Sequence, residues 1–117
     1  MGTVSLKSYA FAIKIIFIYK VLCETRKEYV MSKQLLRSGT AIGALIQEAE
    51  HAQSKPDFLN KMNIALKEAN ETKYWLMLLK DTCYIEEGEF LTISNNCTEI
   101  VCLLASIVKT TKFSLNR

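Results

Sequence analysis

The segment Glu48-Ala49-Glu50-His51 contains Glu-x-x-His, the spacing that puts two metal ligands on one helical face in di-iron carboxylate bundles. Glu68 and Glu71 could add carboxylates from farther along the chain. Such a centre needs a second Glu-x-x-His, however, and His51 is the only histidine. The pattern therefore predicts a solvated His51 in the last turn of a helix, with no metal and no cofactor. For want of another base, no Ser/His/Asp or Cys/His arrangement can be built either. Gly39 and Gly43 fall inside a helical pattern rather than after a strand, so they form no phosphate-cradling loop. Tyr74 and Trp75 could stack on nucleic-acid bases, but at helical spacing they read as core. An enzyme is not expected.

The remaining chemistry is charge and assembly. The net charge is +3, unevenly placed. Lys7, Lys14, Lys20, Arg26, Lys27, Lys33 and Arg37 are accompanied only by Glu24 and Glu28 in the first third of the chain. Lys7 and Lys14 share a line on the first helix, as do Lys33 and Arg37 on the second. Lys20, Arg26 and Lys27 lie near the first connection. Two readings stay open for Lys7, Lys14, Lys20, Arg26, Lys27 and Lys33: a surface that neutralises phosphates, or ordinary solvated charge. No base-reading motif is visible, so binding would show little sequence preference. Arg37 and Glu48 lie about three helical turns apart, with Ala41 and Ala44 between them. That stripe runs roughly opposite Leu35, Ile42 and Ala49. Small residues flanked by opposite charges suit an oligomer interface; exposed, solvated ends are the other reading.

The elements that position these residues are helices. The chain has 117 residues, 50% of them hydrophobic, with four Gly and one Pro, too little punctuation for an all-β domain. One domain over residues 1–117 is expected, with helices at about 5–24, 30–53, 55–81 and 86–112. Ser5 is the predicted cap of the first and Ser54 that of the third, with Pro56 in the first turn and Asp57 completing a box-like arrangement. Lys67 and Glu71 are placed to pair at i, i+4. Gly39 and Gly43 would let another backbone approach. Short connections favour an up-down-up-down antiparallel four-helix bundle, all-α in class.

Helix 1 carries two apolar stripes: Leu6, Ala10, Ile13 and Phe17, and Phe11, Ile15, Ile18 and Leu22. From Ile100 to Val108 only Ser106 is polar. Both end helices thus hold more apolar surface than one core can cover, which predicts a homo-oligomer. Cys23, Cys83, Cys97 and Cys102 have no CxxC spacing, and no secretory signal precedes them. A cytoplasmic protein with reduced, mostly buried thiols is expected. The apolar run from Tyr9 to Leu22 is too short to span a bilayer and is broken by Lys14 and Lys20, so no membrane is expected.

Phe11–Ile15, Gln34–Ala44, Ile46–Ala49, Ala65–Thr72 and Tyr74–Leu76 together resemble the four-helix bundle proteins of the 23S rRNA intervening-sequence type, over nearly the whole chain. The resemblance implies a bacterial bundle that assembles as a ring-shaped homopentamer with a link to nucleic acid. Some members are encoded within rRNA insertions. A related retroelement accessory protein is a basic pentameric barrel that works with a reverse transcriptase and RNA. The chain departs from the family at Ala41, where Ser is usual, and Leu45, where Asn is usual. No catalytic residues carry over. Arg37, Glu48, Glu68, Glu71 and Trp75 match family positions and are assigned to assembly and packing. The expected function is a non-enzymatic scaffold that binds RNA, or else a protein–protein scaffold that never touches nucleic acid.

Overall fold

Ser54 sets the sharpest boundary in the chain. Its extended backbone leaves the preceding helix, and its Oγ accepts the Asp57 N–H at 3.2 Å. The Asp57 carboxylate in turn accepts the Gln53 N–H at 3.3 Å. Two orphan donors are thereby satisfied, as in a capping box shifted by one residue. The computed structural model describes residues 2–116. It forms a four-helix bundle of α1 (Thr3–Glu24), α2 (Met31–Glu50), α3 (Lys55–Asp81) and α4 (Glu87–Leu115), with no strands among the described residues. The bundle measures 51 × 22 × 21 Å.

Three details differ from the sequence expectation. α1 begins at Thr3 with Gly2 as its cap, and Ser5 is buried inside the helix. α2 stops at Glu50 rather than near residue 53, because His51 already leaves helical geometry ahead of the Ser54 cap. α4 continues to Leu115, beyond the Lys109 and Lys112 that favour its C-terminal dipole.

The core takes one stripe from each helix. α1 supplies Phe11, Ile15, Ile18 and Leu22, and α2 supplies Leu35, Ile42, Ile46 and Ala49. α3 adds Met62, Ala65, Ala69, Leu76 and Leu79, while Phe58, Leu66 and Trp75 are half-buried against it. α4 adds Phe90, Ile93, Cys97, Ile100, Leu104 and Val108. α4 is long and apolar enough to cross a membrane by length and composition. Its exposed residues include the polar or small Asn95, Thr98, Cys102, Ala105, Ser106 and Lys109, and also Leu91 and Phe113, exposed by 50% and 68%. Exposed large apolar side chains thus occur on both end helices, in a longer stripe on α1.

The glycines of α2 serve α1. A Cβ on Gly39 would come within 2.8 Å of Ile15 Cγ2, and one on Gly43 would meet the Ser8 hydroxyl at 3.4 Å and its backbone at 3.6 Å. A side chain at Gly39 would force Ile15 to move, whereas a Cβ at Gly43 would rest in ordinary contact with Ser8. Ser38 and Thr72 fill the α2–α3 contact, where the buried Thr72 hydroxyl donates to Ser38 Oγ at 2.9 Å.

Candidate functional site

The six basic residues proposed as phosphate contacts do not share one environment. Lys7 is salt-bridged to Glu99 at 2.8 Å, and Lys14 donates to Asn96 Oδ1 at 2.9 Å. Both therefore point across the α1–α4 seam. Arg26 is a staple: its guanidinium donates to the carbonyls of Tyr84 and Cys83, each at 3.0 Å, and lies 5.0 Å from the Tyr84 ring centre. It ties the α1–α2 turn to the α3–α4 turn. Lys20 lies 6.0 Å from the Phe17 ring on the outer side of α1. Lys27 is exposed within the first connection and Lys33 in the first turn of α2.

The two charged ends of the predicted interface stripe are exposed and pair with α3. Arg37 pairs with Glu68 at 3.2 Å and with Glu71, and its Nε donates to Gln34 at 3.2 Å. Glu71 also accepts the Trp75 indole N–H at 3.0 Å. Glu48 pairs with Lys61 at 3.3 Å. All three carboxylates thus take part in a polar seam between α2 and α3 of one chain. Glu71 does not take Lys67, the partner expected from i, i+4 spacing. Ala41 is half-buried, and Ala44 is exposed on a groove of about 210 Å3 between α1 and α2 that Ser5, Tyr9, Thr40 and Gln47 also line.

The outer face of α1 is rich in exposed apolar side chains. Leu6, Tyr9, Ala10, Ile13, Ile16, Phe17 and Val21 are exposed along it, Phe17 by 62%. Lys20 and Glu24 interrupt them, and the exposed Lys14 borders them. Phe17 and Val21 also line a groove of about 380 Å3 between α1 and α4, with Lys14, Glu89, Thr92 and Ile93.

Residues 3–106 match the family of 23S rRNA-intervening sequence proteins. The chain belongs to that family. A solved structure from Bacteroides thetaiotaomicron, of a protein with unknown function from the S23 ribosomal protein family, is similar at 59% identity. The alignment covers 92% of this chain and 99% of that one, with a TM-score of 0.91. No functionally curated protein matches.

Within this family member, sequence reasoning missed Glu28. It lies in the charged connection before α2, yet the residue is only 8% exposed. Its carboxylate accepts the N–H groups of Val30, Met31 and Ser32 at 3.1, 3.1 and 2.7 Å, and its carbonyl accepts the Ser32 hydroxyl at 2.8 Å. Burial pushes the carboxyl's pKa up, but these donors outweigh it and hold the pKa below the ordinary glutamate value. The signal was the lack of any Ser, Thr, Asp or Asn cap directly before α2, which leaves its orphan donors to a more distant acceptor.

The thiols also differ from expectation. Only Cys97 is buried; Cys23 is half-buried, and Cys83 and Cys102 are exposed. Burial pushes the Cys97 thiol up to about 12, against a small opposing effect of Lys73. His51 is exposed at the end of α2, and no group of three or more His, Cys, Asp or Glu among the described residues could hold a metal ion.

Proposed function

We propose that this chain is a non-enzymatic scaffold: an up-down-up-down antiparallel bundle that closes into a ring-shaped homopentamer in the bacterial cytoplasm and binds RNA. The exposed apolar face of α1 carries the reading. A patch of that length exceeds scattered surface apolars and is of the kind that marks an interaction site. The ring and its five-fold count rest on the family resemblance. Nucleic-acid binding is supported by the basic first third and by the family's tie to rRNA intervening sequences. Five copies of a +3 chain would repeat each basic element around the ring, and affinity would fall steeply with salt.

The contacts need sorting. Lys20, Lys27 and Lys33 are exposed, and no side-chain carboxylate is paired with them. Lys7 and Lys14 would contribute from the α1–α4 seam while sharing their charge with Glu99 and Asn96. The test is sedimentation together with a filter-binding salt series on wild type and a Lys20/Lys27/Lys33→Glu variant. Arg26 is left out because replacing it breaks the staple. The reading expects a pentamer that binds RNA and loses it in the variant. Equal retention at every salt concentration would remove these residues from the contact surface.

The second reading, a scaffold for proteins alone, is favoured by the pairing of Lys7 with Glu99 and the commitment of Arg26 to backbone carbonyls. Its partner would be another protein such as the reverse transcriptase implied by the resemblance. A pull-down after nuclease treatment separates the two: partners that survive favour the protein scaffold.

A further inference from the structure

The exposed stripe of α1 needs a counterpart, and ring closure limits where that counterpart can lie. α1 packs on α2 and α4 but does not touch α3 among the described residues, so α1 and α3 sit diagonally across the bundle. A contact between diagonal faces carries each copy straight on from the last and builds an open stack. Tyr74 and Met77, exposed on α3, therefore do not serve a ring. A contact of α1 with the α1 of a second copy is two-fold and closes at two chains. A ring needs two different faces inclined to one another, which leaves the outer sides of α2 and α4.

Height along the bundle separates these two. In a ring whose axis runs along the bundle, rotation preserves height, so residues level within one chain are level across the contact. Between α1 and α2, Ile15 lies against Gly39 and Ser8 against Gly43, which brings Lys20 level with Lys33. Between α1 and α4, Lys7 pairs with Glu99 and Lys14 with Asn96, and Phe17 and Val21 share a groove with Glu89, Thr92 and Ile93. Numbers fall on α4 as they rise on α1, so Phe17 is level with Leu91, and Lys20 with Glu87 and Gly88. Docking on α2 would oppose two exposed lysines. Docking on α4 would oppose the exposed Phe17 to Leu91, itself 50% exposed, and Lys20 to the exposed Glu87. Glu87 and Leu91 are one turn apart on one face of α4, as Lys20 and Phe17 are on α1. Neither Lys20 nor Glu87 is in an ion pair among the described residues. Beyond Leu91 the exposed side of α4 continues through Asn95, Thr98 and Cys102, small enough for larger α1 side chains to rest against.

We propose that the α1 stripe of one copy docks on the outer side of α4 of the next, with Phe17 against Leu91 and Lys20 paired with Glu87. The proposal rests on the ring reading above and adds the two faces that join. Each copy offers α1 and receives on α4, so closure leaves no stripe free. The pairing withdraws Lys20 from the surface offered to phosphates and leaves Lys27 and Lys33 there.

Sedimentation of the full chain over a concentration series at low salt tests the contact. Lys20→Glu and Glu87→Lys should each raise the concentration of half-assembly at least about tenfold, and the double reversal should recover most of the loss. Both positions are exposed, so circular dichroism should stay native. In a chain carrying Cys83→Ser and Cys102→Ser, Phe17→Cys together with Leu91→Cys should give disulfide ladders longer than two chains on mild oxidation with copper–phenanthroline. Neither cysteine alone should do so. If Phe17→Cys alone cross-links in pairs, α1 meets α1 and the proposal is overturned. An oligomer that ignores both charge reversals and forms no ladder overturns the α4 contact and leaves the ring reading standing. A wild type that sediments as a single chain overturns both.

Discussion

The outer face of α1 and the seam between α2 and α3 belong to one bundle, yet their side chains meet opposite circumstances. On α1, Leu6, Tyr9, Ile13, Phe17 and Val21 follow one another into solvent, each at least 41% exposed. Along the seam, Arg37, Glu48, Lys61, Glu68, Glu71 and Trp75 are polar or charged, and each has a partner in the same chain. A charged pair supplied by two helices of one bundle can fix how those helices sit without any second copy. An apolar stripe can find a partner only outside the chain. The sequence expectation placed oligomer contacts on both; we propose dividing the roles, with α1 for assembly and the seam for the monomer.

The largest effect that would break this division comes from Ile13→Glu combined with Phe17→Glu. Both positions face solvent, so the bundle should retain its helical circular dichroism while sedimentation shifts from the oligomer to the monomer. An oligomer that persists in the double variant would move the interface off α1.

That α1 had surplus apolar surface was legible from the sequence, since its two stripes are visible at helical spacing. Which stripe faces inward was not. Leu6, Ala10, Ile13 and Phe17 fit a core as well as Phe11, Ile15, Ile18 and Leu22 by type. The choice follows from Gly39 and Gly43, which admit the side of α1 that carries Ser8 and Ile15. The Ser54 boundary was legible because its chemistry is local. The Arg26 staple and the Arg37 pairs were not, because their partners lie on other helices and nothing in the spacing of a single helix names them. On α4 the large members of the run from Ile100 to Val108 are buried or half-buried, and the exposed large apolar residues, Leu91 and Phe113, lie nearer the helix ends.

A sharper probe of the α1 register is Gly39→Val. With Ile15 fully buried and 2.8 Å from the added Cβ, the substitution should destabilise the fold by about 1–3 kcal/mol in urea unfolding, despite the better helix propensity of Val over Gly. Unchanged stability would mean that α1 and α2 are not held at this distance.

Acid should also weaken the turn between α1 and α2, where Glu28 caps α2. The Glu28 pKa is depressed in the folded chain, so its contribution is complete above the unfolded glutamate value of about 4.3 and is lost as the pH falls through the lower folded value. Glu28→Gln keeps one acceptor oxygen and should lose on the order of 1 kcal/mol at pH 7, within the range of helix-cap losses, with a weaker acid dependence between pH 5 and 2 than wild type. Parallel unfolding curves of the two proteins across that range would show that the carboxylate charge is immaterial to the cap.

The smallest effect is expected on the seam, and it is the most discriminating. Arg37 is about half exposed, so solvent screens its pairs, and Arg37→Ala should cost about 1 kcal/mol or less. Glu71→Gln should cost similarly little, because the amide oxygen can still accept the Trp75 indole N–H. The oligomer should be untouched in both. The alternative, in which Arg37, Ala41, Ala44 and Glu48 form the contact between copies, predicts the reverse: near-native monomer stability and a large loss of assembly, since an interfacial charge left without its partner costs several kcal/mol. Sedimentation of Arg37→Ala beside its urea curve therefore reads both quantities on one variant. A variant that unfolds slightly earlier but still assembles places the seam inside the monomer. One that unfolds as wild type but sediments as a single chain returns the seam to the interface and leaves the α1 face for another partner.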